Sequence, residues 1–150
     1  MKWSRTRLRV AGKLQAIERA QKAAAEMRLS DARRASDQAA EETRDARGNL
    51  DDAERSWNER ISARQLDLEL QRAFADELLR RERDLGAKVG EEQEAEVRLE
   101  RARSGWQQLE AGVRAGDRML KKGQRFLSRQ GEEARDRALS DLTTWEWFKR

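Results

Sequence analysis

Between Leu99 and Ala134, taking every third and then fourth residue gives Leu99, Ala102, Trp106, Leu109, Val113, Gly116, Leu120, Gly123, Leu127, Gln130 and Ala134. Most of the residues between these positions are Arg, Glu, Asp, Gln or Lys. A 3/4 alternation held for five heptads predicts a helix that buries one narrow stripe against another helix. Upstream the same spacing is weaker. Val10, Leu14 and Ile17 start a seam that thins into Ala20, Ala24, Ala32, Ala35, Ala39 and Ala46, with Met27 and Leu29 interrupting it. Leu50, Ala53 and Trp57 then restore it. Alanine favours helix but buries little area, so this first helix needs a partner to be stable.

The two stripes predict an all-α fold: a long antiparallel two-helix coiled-coil hairpin with an overhanging C-terminal helix. The expected organisation is a single coiled-coil domain over 1–150, with helix 1 at about 5–57, the reversal at about 57–62 and helix 2 at about 62–145. The reversal is placed there by a capping box. Ser62 stands at the N-cap and Gln65 at N3, with Ile61 and Leu66 where a hydrophobic staple would close. Gly48-Asn49 is the alternative break, since both residues tolerate left-handed backbone. A fold at Gly48 leaves helix 1 too short to cover the stripe from Leu99 to Val113. Reversal near residue 60 pairs Leu14 with Trp106, Val10 with Leu109 and Ile17 with Ala102. It also sets Ala46 against Ala73 and Phe74, Ala40 against Leu78 and Leu79, and Ala35 against Leu85. Large residues then mostly meet small ones, as interdigitated packing requires.

On this register helix 2 is about 120 Å long and its last ~45 Å, beyond about residue 118, extends past helix 1. That extension still carries Leu120, Phe126, Leu127, Ala138, Leu139 and Leu142 and ends on Trp145-Glu146-Trp147-Phe148. A helix with no intramolecular neighbour has no internal reason for an apolar stripe, so a partner protein, self-association or a folded-back tail is expected to cover it. Glycine is the anomaly. Gly86, Gly90, Gly105, Gly112, Gly116, Gly123 and Gly131 all fall inside helix 2. Each costs about 0.8–1 kcal/mol relative to alanine, which implies close helix approach, local flexibility or a passage narrow enough to need them.

Composition narrows the class. Charged residues are 41% of the chain, hydrophobic ones 37%, and mean hydropathy is −1.10. Such a chain cannot fill a compact core. Proline is absent from all 150 residues, so no residue forces a helix to stop. Cysteine and histidine are absent too, which removes disulfides, thiolate chemistry, the usual general base and the commonest metal ligand. Lys plus Arg number 33 against 29 acids, a net +4 with signs interspersed, which does not predict nucleic-acid binding. No apolar run is long enough to span a bilayer and none near the start forms a signal-peptide core. Acid pairs such as Asp51-Asp52, Glu91-Glu92 and Glu132-Glu133 read as solvated charge, because acid–base catalysis needs a desolvated pocket. The expectation is a cytoplasmic helical protein without enzymatic activity, catalytic residues, cofactor or metal.

The first thirteen residues carry Lys2, Arg5, Arg7, Arg9 and Lys13, no acid, and interleaved Trp3, Leu8 and Val10. They read as a solvated helix start, as a basic aromatic end that docks on an acidic partner, or as a mitochondrial-type presequence. The opening Met1-Lys2-Trp3, then Arg7-Leu8, Val10 and Leu14, resembles the start of FliJ proteins of the flagellar type III export apparatus. Overall length, a longer C-terminal helix and the segment Arg118-Met119-Leu120-Lys121-Lys122 resemble that family as well. Its acidic signature near the end is degraded here to Leu139-Ser140-Asp141-Leu142.

The resemblance implies a cytoplasmic stalk, at most peripheral at the inner face of the membrane. It would insert into the hexameric export ATPase, contact the export gate protein FlhA and handle export chaperones in flagellum biogenesis and type III protein transport. Of the family's gate-contacting cluster, Phe74 and Leu78 match, while Arg81 and Leu85 replace an alanine and a histidine. The candidate partner-binding residues are therefore Trp3, Arg5, Arg7, Arg9, Phe74, Leu78, Phe126, Leu127, Trp145, Trp147 and Phe148. The alternative is a generic cytoplasmic scaffolding coiled coil that homodimerises through its C-terminal helix.

Overall fold

The computed structural model describes residues 3–63 and 67–148, without the side chains of Glu146 and Phe148. Two helices, α1 (Arg5–Ser62) and α2 (Leu68–Phe148), pack against each other, and the described residues hold no strand. Ser4 caps α1: its Oγ accepts from the Arg7 N–H at 3.2 Å and its carbonyl from the Leu8 N–H at 2.9 Å. Asp67 caps α2, its Oδ1 accepting from the Leu70 N–H at 2.8 Å and its carbonyl from the Gln71 N–H at 3.1 Å. The helices contribute segments to two compact units, one of residues 26–105 and one of residues 1–25 with 106–150.

The expected reversal at 57–62 is corrected. Those residues are helical, and α1 continues through Ser62, whose Oγ donates to the Asn58 carbonyl at 2.8 Å. Ser62 therefore ends α1 and does not cap α2. A serine near a helix end satisfies either role, and Asp67, with its carboxylate at the positive end of α2, is the stronger cap. Gln65 and Leu66, the other halves of the expected box and staple, lie outside the described residues. Gly48 is inside α1.

In the unit of residues 26–105, α1 turns Leu29, Ala32, Ser36, Ala39, Thr43, Ala46, Leu50, Ala53 and Trp57 toward α2. Opposite stand Phe74, Leu78, Arg81, Leu85, Lys88, Glu92, Ala95, Leu99 and Ala102. These positions follow an unbroken 3/4 alternation, with Ala40, Glu42, Ser56, Glu77, Val89 and Gly90 partly covered beside them, and the buried apolar set is small: Leu29, Ala46, Leu50, Ala53 and Ala95. Polar groups set the register. Thr43 Oγ1 donates to the Lys88 carbonyl at 3.1 Å, Lys88 Nζ bonds Glu42 at 2.8 Å and Glu91 at 2.9 Å, and Arg81 donates to the Asn49 carbonyl at 2.7 Å. Trp57 and Phe74 meet at 5.6 Å between ring centroids, and the Arg60 guanidinium sits 5.0 Å from the Phe74 ring. The expected pairings of Ala46 with Phe74, Ala40 with Leu78 and Ala35 with Leu85 are replaced, because Phe74 faces Trp57 and Lys88 faces Thr43.

In the other unit the covered positions are Leu8, Ala11, Gln15, Glu18, Lys22 and Ala25 on α1. On α2 they are Trp106, Leu109, Val113, Gly116, Leu120, Gly123 and Leu127. The α2 positions from Trp106 to Leu127 are those its sequence periodicity marks, whereas Gln130 and Ala134 are exposed. The α1 positions are not. Val10, Leu14 and Ile17 are 50, 57 and 55% exposed, so they flank the seam rather than form it. Stepping back by sevens from Trp57 and Leu50 along one continuous helix reaches Thr43, Leu29, Gln15 and Leu8, and residues at 10, 14 and 17 fall on the flank of that line. Gln15 is paired with Val113 and Asp117, and Lys22 with Trp106 and Glu110, which replaces the expected contacts of Leu14 with Trp106 and Val10 with Leu109.

Candidate protein-binding site

The unit of residues 1–25 with 106–150 holds most of the candidate docking residues. Trp3 lies over Gly123, where an added β-carbon would come within 2.7–2.8 Å of three indole carbons, so glycine is what lets the ring reach the α2 backbone. Arg5, Arg7 and Arg9 are exposed on the first turns of α1. Phe126 is 40% exposed and Leu127 is half-buried. Trp3 thus sits against α2 at Gly123, about one turn before Phe126 and Leu127 on that helix.

Beneath this surface is a polar clasp. Gln15, only 5% exposed, donates through Nε2 to the Val113 carbonyl at 2.7 Å and to Asp117 Oδ1 at 2.9 Å. Arg19 bonds the same carboxylate oxygen at 2.6 Å. The Arg19 guanidinium, then the Gln15 amide and the Lys121 charge, hold the Asp117 carboxyl below the usual carboxylate range against the opposing effect of burial. A little further along, Lys22 Nζ stands 5.8 Å from the Trp106 ring centroid and 3.8 Å from Glu110. Sequence periodicity missed Gln15, because a glutamine in an apolar line reads as an interruption. The signal available was its place in the heptad that runs back from Leu29 and Leu8.

Past Leu127 every described residue with a placed side chain is exposed, including Leu139 at 61%, Leu142 at 60%, Trp145 at 60% and Trp147 at 84%. Phe148 belongs to α2, but its side chain lies outside the described residues. Phe74 and Leu78 belong to the other unit and face inward: Phe74 packs on Trp57 and both are half-buried. As a contact for a gate protein they therefore present only part of their surface. No helix among the described residues is long and apolar enough to cross a membrane. Compared with protein-family models, curated proteins and solved structures, the chain matches none.

Proposed function

We propose that the chain is a non-enzymatic helical connector of the FliJ type, binding the hexameric flagellar export ATPase and coupling it to the export gate protein FlhA, with export chaperones as further partners. In this reading the last part of α2, from about residue 128, overhangs the hairpin and carries the contact surface. The observation that supports it most is the run of exposed Leu139, Leu142, Trp145 and Trp147 on a helix that continues beyond the last half-buried position, Leu127. Apolar side chains of this size exposed in one segment mark an interaction surface. The basic, tryptophan-bearing start of α1 supplies a second contact of opposite character, suited to an acidic rim.

The test is direct. The chain is mixed with the cognate export ATPase, and ring assembly is followed by sedimentation and turnover by phosphate release. Co-sedimentation with a change in assembly or hydrolysis supports the reading, and the effect should vanish for the chain truncated after Arg129. An ATPase that neither binds the chain nor changes its assembly or rate overturns it.

A further inference from the structure

One flank of the unit of residues 1–25 with 106–150 exposes more apolar surface than a two-helix seam needs. Trp3 just before α1, Val10, Ala11 and Leu14 on α1 and Met119 on α2 line an open cavity of about 390 Å³. Gly112 stands seven residues before Met119 and Phe126 seven after, so all three share that flank of α2. A β-carbon at Gly112 would meet nothing within 4 Å, and the same is true of Gly131. Neither glycine is needed to let α1 approach, unlike Gly116 and Gly123, whose β-carbons would strike Gln15 and Trp3. Arg7 lines the cavity as well, and the lining positions are neighboured in sequence by Arg5, Arg9 and Lys13 on α1 and by Arg118, Lys121 and Lys122 on α2, with no acid in the first seventeen residues.

The complementary surface is in the same chain. After Leu127, α2 presents Ala134, Ala138 and Leu142 at helical spacing, with Leu139 beside them. The flanking charges from 132 to 146 are Glu132, Glu133, Asp136, Asp141 and Glu146 against Arg135 and Arg137. Because α2 is unbroken to Phe148, this segment leads away from its own groove and cannot lie in it without breaking the helix.

We propose that the groove is occupied by the C-terminal segment of α2 from a second copy of this chain, each copy's segment lying in the groove of the other. A twofold axis passing beside Leu127 makes the exchange symmetric, with the two α2 segments antiparallel. Leu142 of one copy then comes to Gly112 of the other, and Met119 comes opposite Arg135, beside Ala134 and Ala138. The large Leu142 side chain meets a glycine that nothing in its own chain fills, and the net-acidic segment lies against the basic start of α1. This association does not depend on the ATPase reading, and it covers the surface that such a partner would have to displace.

Cysteine is absent, so introduced cysteines are unique reporters. Two differently tagged chains, one with Gly112→Cys and the other with Leu142→Cys, are mixed and oxidised mildly. Sedimentation equilibrium on the unmodified chain gives the mass. The expected results are a dimer, a disulfide joining the two tags, and at least about tenfold weaker association for Leu142→Glu and for Leu14→Glu with helicity retained. Rising salt should weaken association as well. A monomer at all concentrations, an unchanged dimer in both glutamate variants, or a bond that forms only within a single chain carrying both cysteines would each overturn the proposal. The last would show a folded-back tail.

Discussion

A methyl group added at Gly116 would run into the Gln15 side-chain oxygen, with Gln15 Cδ 2.8 Å and Nε2 3.2 Å away. The same methyl at Gly48 meets nothing within 4 Å. Both glycines are in helix interiors, so alanine at either gains about 0.4–1 kcal/mol through backbone entropy and helix propensity. At Gly48 that gain stands alone. At Gly116 it is opposed, because Gln15 has to leave and surrender its bonds to the Val113 carbonyl and Asp117. Losing a buried amide's partners costs about 1–3 kcal/mol. The side chain is flexible and can swing outward, which keeps the cost near the lower end. The expected result is Gly48→Ala stabilised by up to ~1 kcal/mol and Gly116→Ala destabilised by about 1 kcal/mol. For a chain of this size that separates the two midpoints by roughly 4–8 °C. Thermal unfolding followed by circular dichroism at 222 nm reads it. Gln15→Ala clears the space, so Gly116→Ala in that background should become stabilising, a sign change that only direct contact produces. If Gly116→Ala raises the midpoint as much as Gly48→Ala does, Gln15 is not seated against Gly116 and the pairing of α1 with α2 is wrong there.

Asp67→Ala removes the carboxylate that accepts from the Leu70 N–H and should cost about 1 kcal/mol, read by urea unfolding, while Ser62→Ala should be close to neutral because its hydroxyl returns to its own helix. Phe74→Ala removes the ring between Trp57 and Arg60; half-buried, it should cost about 2 kcal/mol and change Trp57 fluorescence. Stability should also follow pH in a defined direction. Asp117, Glu42 and Glu77 are held below their ordinary range, chiefly by hydrogen bonds from Arg19, Lys88 and Arg81, so their contribution is complete above about pH 5 and fades as pH falls through the folded values. Lys88 is raised, first by Glu42 and then Glu91, so its contribution is complete below about pH 10 and fades above it. Midpoints measured from pH 2 to 11 should show a plateau with both edges, and the alkaline edge should recede in Glu42→Gln.

How much was legible from the amino acids differs between the two helices. For α2 the positions from Leu99 to Leu127 could be read directly, since large apolar residues alternate with charge and helical periodicity alone picks the covered face. For α1 it could not. Its covered line near the start runs through Gln15, Glu18 and Lys22, while the more apolar Val10, Leu14 and Ile17 stand on the flank. Hydrophobicity pointed to the wrong stripe because the line is set by the rest of the same helix, where Leu29, Leu50 and Trp57 are engaged. The groove at Trp3, Val10, Leu14 and Met119 follows from that displacement, so the candidate site could not be read from a single helix.

The sequence by itself determined that the chain is helical, that it reverses once, and which face of α2 is covered from Leu99 to Leu127. The absence of proline, the excess of helix-forming residues and the 3/4 spacing leave little else open. Only the tertiary structure decided the register. Carrying α1 through Ser62 and starting α2 after Asp67 moves the reversal by about five residues, and every pairing by about ten or eleven, close to three helical turns. A shift of whole turns leaves the covered face of α2 unchanged, so the periodicity of α2 cannot detect it. Polar groups with a single good partner can: Gln15 at Val113, Thr43 at Lys88 and Arg81 at Asn49 each satisfy a directional bond in one alignment only.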